Sequence, residues 1–200
     1  VIRVVTSTSL FDGHDASINI MRRIMQASGA EIIHLGHNRS VDDIVRAAIQ
    51  EDAHAIATSS YQGGHIEFFK FMVDKLKAAG ASHIKVFVGG GGTIVPREIK
   101  DLEDYGVARV YSPEDGRRLG LQGMIDDLLR ESDRPAKTEG VAGKAADLST
   151  ENHLVVGQYL SAVEATKLND PSGLTAYMKP LEGMRDVKAP VLGITGTGGA

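Results

Sequence analysis

Apolar positions along the first 130 residues switch repeatedly between two periods. β-branched and other apolar residues gather in short runs at 3–8, 31–35, 55–59, 84–88 and 107–111. Runs of that length suit strands buried on both faces. Between them the spacing widens to that of a helix with one apolar side. Ile18, Met21, Ile24 and Met25 mark the first such helix. Ser40 reads as the N-cap of the second, with Asp43 three residues on and Val41, Ile44, Val45, Ala48 and Ile49 on one face. The third starts near His65, with Ile66, Phe69, Met72, Val73 and Leu76 inward. Pro96 suits the first turn of a short fourth helix, since a missing N–H costs nothing there. Ser112 and Pro113 form an N-cap and first-turn pair for a fifth, carrying Leu121, Ile125, Leu128 and Leu129.

Strands alternating with helices imply right-handed crossovers and a parallel sheet. The expected fold is α/β: a flavodoxin-like (Rossmann-like), doubly wound, five-stranded sheet in the order 2-1-3-4-5, filling residues 1–132. Such sheets take ligands beyond the carboxyl ends of their strands, where the strand order reverses. The loops after strands 1, 3 and 4 are therefore the expected ligand edge. Past residue 132 the composition shifts. Residues 133–150 are rich in Ala, Gly, Lys and Ser and read as a linker. A helical connecting segment is expected over 151–188, with Val156, Tyr159, Leu160 and Val163 on one side and an irregular stretch after it. A last strand at 191–195 runs into Gly196, Thr197, Gly198, Gly199 and Ala200. Those five match the first half of G-x-x-x-x-G-K-[ST], so residues 189–200 read as the first strand and partial P-loop of a further domain.

Composition narrows the function classes. The chain has 200 residues, 42% hydrophobic and 24% charged, as in ordinary globular domains. With 22 basic and 26 acidic residues the net charge is −4, which gives no electrostatic reason to seek nucleic acid or an anionic membrane. No apolar run approaches a membrane span, and no signal peptide is visible. The absence of Cys excludes disulfides, thiolate metal sites and Cys nucleophiles, and is compatible with the cytoplasmic location expected here. A first residue of Val suggests processing, or excision from a longer chain.

Three unusual clusters fall on the expected ligand edge: Asp12-Gly13-His14-Asp15-Ala16-Ser17, Ser59-Ser60-Tyr61-Gln62-Gly63-Gly64-His65, and Gly89 to Gly92. Asp-x-His can set a carboxylate behind an imidazole, fixing its tautomer for a metal; a polar helix start yields the same tripeptide. Four glycines in succession fit a bulky ligand near the backbone, or a flexible loop. A nicotinamide fingerprint would follow the first strand, not the fourth. Thr6 to Ser9 could cradle a flavin phosphate, although the chain has no Trp to stack on a flavin. A phospho-receiver would need Asp where Ser59 stands. His34 and His37 form an H-x-x-H read as loop polarity, His65 a helix start that caps or touches a ligand, and His54, His83 and His153 surface positions. The carboxylate pairs at 42–43 and 126–127 read as solvated helix faces.

Together the clusters carry a family resemblance. The run from Asp12 to Ser17 resembles the D-x-H-x-x-G signature of cobalamin-binding domains. After 41 further residues (18–58), Ser59-Ser60-Tyr61 is similar to that family's S-x-L, and after 27 more (62–88), Gly89-Gly90 is similar to its G-G. Ser17 departs from the family's Gly, and Tyr61 from the Leu of many members. The resemblance covers residues 3–131 and is nearest to adenosylcobalamin-dependent acyl-CoA mutases, above all those fused to a GTPase chaperone. It implies His14 as lower ligand to the cobalt of adenosylcobalamin, with Asp12 on its far nitrogen and the displaced tail in a slot. Asp12, Gly13, His14, Asp15, Ser17, Ile18, Ser59, Tyr61, Gly89, Gly90, Gly91, Tyr111 and Ser112 would form that site. It further implies an isobutyryl-CoA/n-butyryl-CoA or methylmalonyl-CoA substrate, carbon-skeleton radical chemistry, and a substrate barrel as partner domain. A GTPase domain using GTP and Mg²⁺, for which Gly196 to Ala200 would begin the nucleotide site, and a homodimeric full-length form complete the implied picture. Neither nucleic acid nor membrane is an expected partner, and these residues alone are expected to bind cofactor without catalysis.

Overall fold

The computed structural model describes residues 1–184. The expected strand at 191–195 and the Gly196–Ala200 motif therefore lie outside the described residues. Five parallel strands, β1 (Arg3–Thr8), β2 (Glu31–His34), β3 (Ala55–Ser59), β4 (Lys85–Gly89) and β5 (Arg109–Tyr111), form one sheet in the order β2-β1-β3-β4-β5. The crossovers are α1 (Ala16–Ala27), α2 (Val41–Gln50), α3 (His65–Ala78) and α4 (Pro96–Tyr105), and α5 (Pro113–Ser132) follows β5. The doubly wound sheet and its order match the expectation; strand limits move by a residue or two.

Both faces of the sheet are covered, which is why the strands read as continuous apolar runs. Val5, Ile56, Val86, Val88 and Val110 pack with the inner sides of α2, α3 and α4. Val4, Ala55, Ala57 and Phe87 face α1 and α5, where Met25, Ile125 and Leu128 close over them. Ser40 caps α2 by accepting from the Asp43 N–H at 3.1 Å. Leu121 does not join the core as expected, and is 48% exposed. The helix is broken at Gly120 (φ 68°, ψ 173°), which resets the phase of the residues after it.

Beyond α5 the chain is more ordered than its composition suggests. Residues 133–150, expected as a linker, include a 3₁₀ segment, Ala142–Asp147. After it come α6 (His153–Asn169) and α7 (Leu174–Leu181). Val141 and Ala145 are buried with Tyr159, Ala162 and Tyr177 in a small second core. Tyr159 donates its hydroxyl to the Tyr177 carbonyl at 2.6 Å, and Tyr177 donates to the Thr138 carbonyl at 3.0 Å. Small Ala side chains suffice here because two tyrosines supply the area. Leu160, expected inward, is 63% exposed. The buried side of α6 runs instead through Val155, Gly157, Gln158, Tyr159, Ser161 and Ala162.

Polar contacts at the amino ends of the strands explain that choice. Arg3 on β1 donates to Ser161 at 2.8 Å, and pairs with Glu31 at 2.9 Å and with Glu164. Asp52 is buried and pairs with Arg134 at 3.3 Å. Burial pushes the Asp52 carboxyl up, but His83, Ser161 and Arg134 outweigh it and hold it below the usual range. His54 is buried, not a surface residue; its Nδ1 accepts the Arg3 N–H at 3.2 Å. At Gly157 the backbone of α6 meets the end of α2 directly. A Cβ there would lie 2.8 Å from the Ile49 carbonyl oxygen and 2.9 Å from that of Gln50. Gly157→Ala should therefore cost about 1–3 kcal/mol, as overpacking does. Urea unfolding and hydrogen exchange along α6 check this; an unchanged midpoint with unchanged protection would contradict the close approach.

Candidate functional site at the carboxyl edge of the sheet

The loop leaving β1 is built around one carboxylate. Asp12 is 1% exposed, and both of its oxygens are engaged. Oδ1 accepts from the His14 backbone N–H and from His14 Nδ1, each at 2.8 Å. Oδ2 accepts from the Tyr61 N–H at 2.6 Å, across the gap to the loop after β3. The Asp12 carbonyl in turn accepts from the Thr8 hydroxyl at 2.7 Å. Burial raises the Asp12 carboxyl, but the donors from Tyr61 and His14 win, and it lies below the ordinary carboxylate range. The anion thus fixes the proton on His14 Nδ1 and leaves Nε2 as the ring nitrogen with a free lone pair. The His14 side chain is 75% exposed, so that lone pair is accessible. Gly13 is exposed beside it, and Asp15 is the N-cap residue of α1 without a side-chain cap bond.

Beside this loop an apolar slot of about 250 Å³ opens between the sheet, α1 and α5. Ser17, Ile18, Ser59, Tyr61, Gly89, Gly90, Gly91, Tyr111 and Ser112, all expected at the site, line it. Met21, Met25, Ala57, Phe87, Met124 and Leu128 line it too and were not anticipated. The Met21/Met25 spacing and the small Ala57 were the available signals, but a methionine stripe reads equally as core. The hydroxyl oxygens of Ser17 and Ser59 are buried without a hydrogen-bond partner. Unsatisfied buried hydroxyls are uncommon, and both of these belong to residues that line the slot.

Gly90 has no room for a side chain, since a Cβ would lie 2.3 Å from the Ser60 carbonyl oxygen. The Tyr61 ring covers Gly91 and lies 5.9 Å from the His14 ring. Tyr111 and Ser112 line the slot with their polar atoms already in use. Tyr111 donates its hydroxyl to Asp127 at 3.0 Å and stacks on Phe87; burial, then Asp127, pushes its phenol well up. Asp127 is therefore no solvated helix face. Ser112 caps α5, accepting from the Asp115 N–H at 3.2 Å and donating to its carboxylate at 2.8 Å.

Other candidates resolve differently. The hydroxyls of Thr6, Ser7, Thr8 and Ser9 are buried and committed to His34, Thr58, the Asp12 carbonyl and Ser60. They are not free to cradle a phosphate. Among the described residues no group of three or more His, Cys, Asp or Glu could hold a metal ion. His65 is buried at the start of α3 and bonds through both ring nitrogens.

A doubly wound parallel sheet with an exposed, carboxylate-held imidazole and an apolar slot at its switch point defines a small-molecule binding domain of the α/β class. The chain belongs to the B12 binding domain family, whose model matches residues 2–115. It is 56% identical over 202 residues to the fused isobutyryl-CoA mutase of Geobacillus kaustophilus, and 54% identical over 203 residues to that of Cupriavidus metallidurans. Both matches take in 100% of this chain and 18% of the relative, so the chain spans about a fifth of the length of these curated relatives. Among solved structures it is similar to a cobalamin-binding protein from Desulfitobacterium hafniense. That match has a TM-score of 0.54 and 24% identity, and covers 65% of this chain and 58% of the other.

Two predictions follow from the geometry. Gly90→Ala should displace the Ser60 carbonyl and distort the slot, costing about 1–3 kcal/mol; a denaturant midpoint equal to wild type would refute the close contact. Asp115→Asn should weaken the start of α5 by about 1 kcal/mol at neutral pH. Burial raises the Asp115 carboxyl, but Ser112, Arg118 and Arg109 depress it strongly in the folded state. The stabilisation is therefore present above the unfolded carboxylate range and fades as pH falls through the lower, folded value. Wild type and variant should converge in strongly acid urea titrations, and a constant gap at every pH would count against it.

Proposed function

We propose that this chain is the cobalamin-holding module of an adenosylcobalamin-dependent acyl-CoA mutase, of the isobutyryl-CoA or the methylmalonyl-CoA type. The observation that carries the reading is the pairing, on one sheet edge, of an exposed imidazole backed by Asp12 with a slot containing two unpartnered hydroxyls. Family membership and similarity along the whole of this chain to about a fifth of the fused isobutyryl-CoA mutases support it.

The residues present fit the cofactor. His14 Nε2 is a neutral nitrogen donor suited to cobalt, so His14 would serve as lower axial ligand. Asp12 holds the tautomer and the ring orientation. The apolar slot suits the flat heteroaromatic tail that His14 would displace, with Ser17 and Ser59 offering hydroxyls to its polar atoms. Gly90 and Gly91 bring backbone rather than side chain to that surface. Bound adenosylcobalamin supplies a cobalt–carbon bond whose homolysis starts carbon-skeleton rearrangement. The acyl-CoA would be held by a separate substrate barrel, on the same chain or another. A GTPase chaperone domain and a homodimer belong to the fused-mutase version of the proposal. The flavin reading lacks a phosphate cradle, because Thr6 to Ser9 are internally bonded.

The test is cofactor uptake by the protein carrying this chain. With hydroxocobalamin, wild type should show the visible spectrum of a histidine-ligated corrin without its own base. His14→Ala should lose that signature, and Asp12→Asn should weaken binding by about 10–100-fold. Identical spectra for wild type and His14→Ala would end the ligation proposal, and no uptake by wild type would end the cofactor proposal.

A further inference from the structure

His65 lies at the start of α3, 7% exposed, with an acceptor oxygen against each ring nitrogen. Nδ1 is 3.1 Å from the Gln62 carbonyl, and Nε2 is 2.9 Å from Glu98 Oε2. The Gln62 carbonyl and the Glu98 carboxylate can only accept, so a ring proton has a partner whichever nitrogen carries it. Hydrogen bonds from the Val95 N–H and from His65 hold the Glu98 carboxyl below the usual range, in keeping with an ionised partner.

The consequence lies one residue before Gln62. The Tyr61 N–H is the donor that reaches Asp12 Oδ2, and Asp12 orients His14. A continuous path therefore runs from Glu98 on α4, through His65 and the Tyr61–Gln62 turn, to Asp12 and the imidazole. The Gln62 side chain adds a bond to the Leu10 carbonyl from the opposite side. An open pocket of about 450 Å³ adjoins this turn, lined by Leu10, Phe11, Gln62, His65, Phe68 and Phe71 among others. Without the His65 clamp the turn has space to recede and take its N–H away from Asp12.

We propose that His65 and Glu98 are positioning residues for the His14 imidazole, acting through the Tyr61–Gln62 turn and the Asp12 carboxylate. This rests on the reading of His14 as the cobalt ligand. Two readouts separate it from mere stabilisation. In the cofactor-free protein, His65→Ala should speed hydrogen exchange at the Tyr61 amide by about tenfold or more, for loss of roughly 1–2 kcal/mol of local protection. With cob(II)alamin bound, electron paramagnetic resonance reads the axial nitrogen directly. His65→Ala should lower the histidine-ligated fraction and weaken binding by about tenfold. Glu98→Gln should shift both readouts the same way by less. Gly157→Ala, at the far end of the sheet, should lower global stability and leave the ligated fraction unchanged.

Wild type without a histidine signal would overturn the assignment of His14 itself. Wild type with that signal, and His65→Ala and Glu98→Gln unchanged in Tyr61 exchange and ligated fraction, would overturn this inference alone. A loss of ligation in Gly157→Ala equal to that in His65→Ala would overturn it as well.

Discussion

The buried carboxylate of Asp12 is the constraint on which the site depends. An ionised group removed from water is tolerable only when donors replace the lost solvent. Three N–H groups do so here, from two different loops. Those loops follow β1 and β3, adjacent strands whose crossovers leave toward opposite faces of the sheet. The chain must part at that point, and a crevice results from topology alone. Asp12 spans the parting. Its need for donors holds the loops in register, and the same need dictates which nitrogen of His14 carries the proton. The joining of the two loops and the orientation of the His14 ring therefore rest on one set of hydrogen bonds.

The slot beside it arises by subtraction. Ala57, Ser59 and Gly89 occupy the carboxyl halves of the two central strands, where larger residues would fill the space under α1 and α5. Flanking Met21, Met25 and Met124 are unbranched and can adapt to what enters. The cost stays in the protein as two unpartnered hydroxyls, each worth about 1–3 kcal/mol when left buried and unsatisfied.

The sheet was readable from sequence because strand burial on both faces and one-sided helices leave different periods, and β1 to β5 each carry one. The Asp12–His14 pair was readable as a possibility, since spacing permits the contact but does not orient the rings. Its bond to the Tyr61 N–H was not readable, because a backbone donor leaves no mark in composition. Leu160 and Leu121 were misjudged for different reasons. In α6 the buried side includes Ser161, which accepts from Arg3 on β1, and Gly157, which lies against the end of α2, so hydrophobicity points the wrong way. In α5 a glycine break shifts the phase between the two halves. Residues 133–150 looked like a linker because their core consists of Ala and Val, with the bulk supplied by tyrosines farther along the chain.

β1 carries polar commitments at both ends. At its amino end Arg3 joins α6 to the sheet through Ser161 and Glu164, beside the buried Asp52–Arg134 pair. At its carboxyl end it delivers Asp12 and His14. Between the two ends, Val4 and Val5 are fully buried on opposite faces. A strand anchored in this way cannot slide by one residue without exchanging its two faces and breaking both polar sets. The appendage of α6 and α7 thus secures the amino end of the strand, at the opposite end of the sheet from the loop carrying His14.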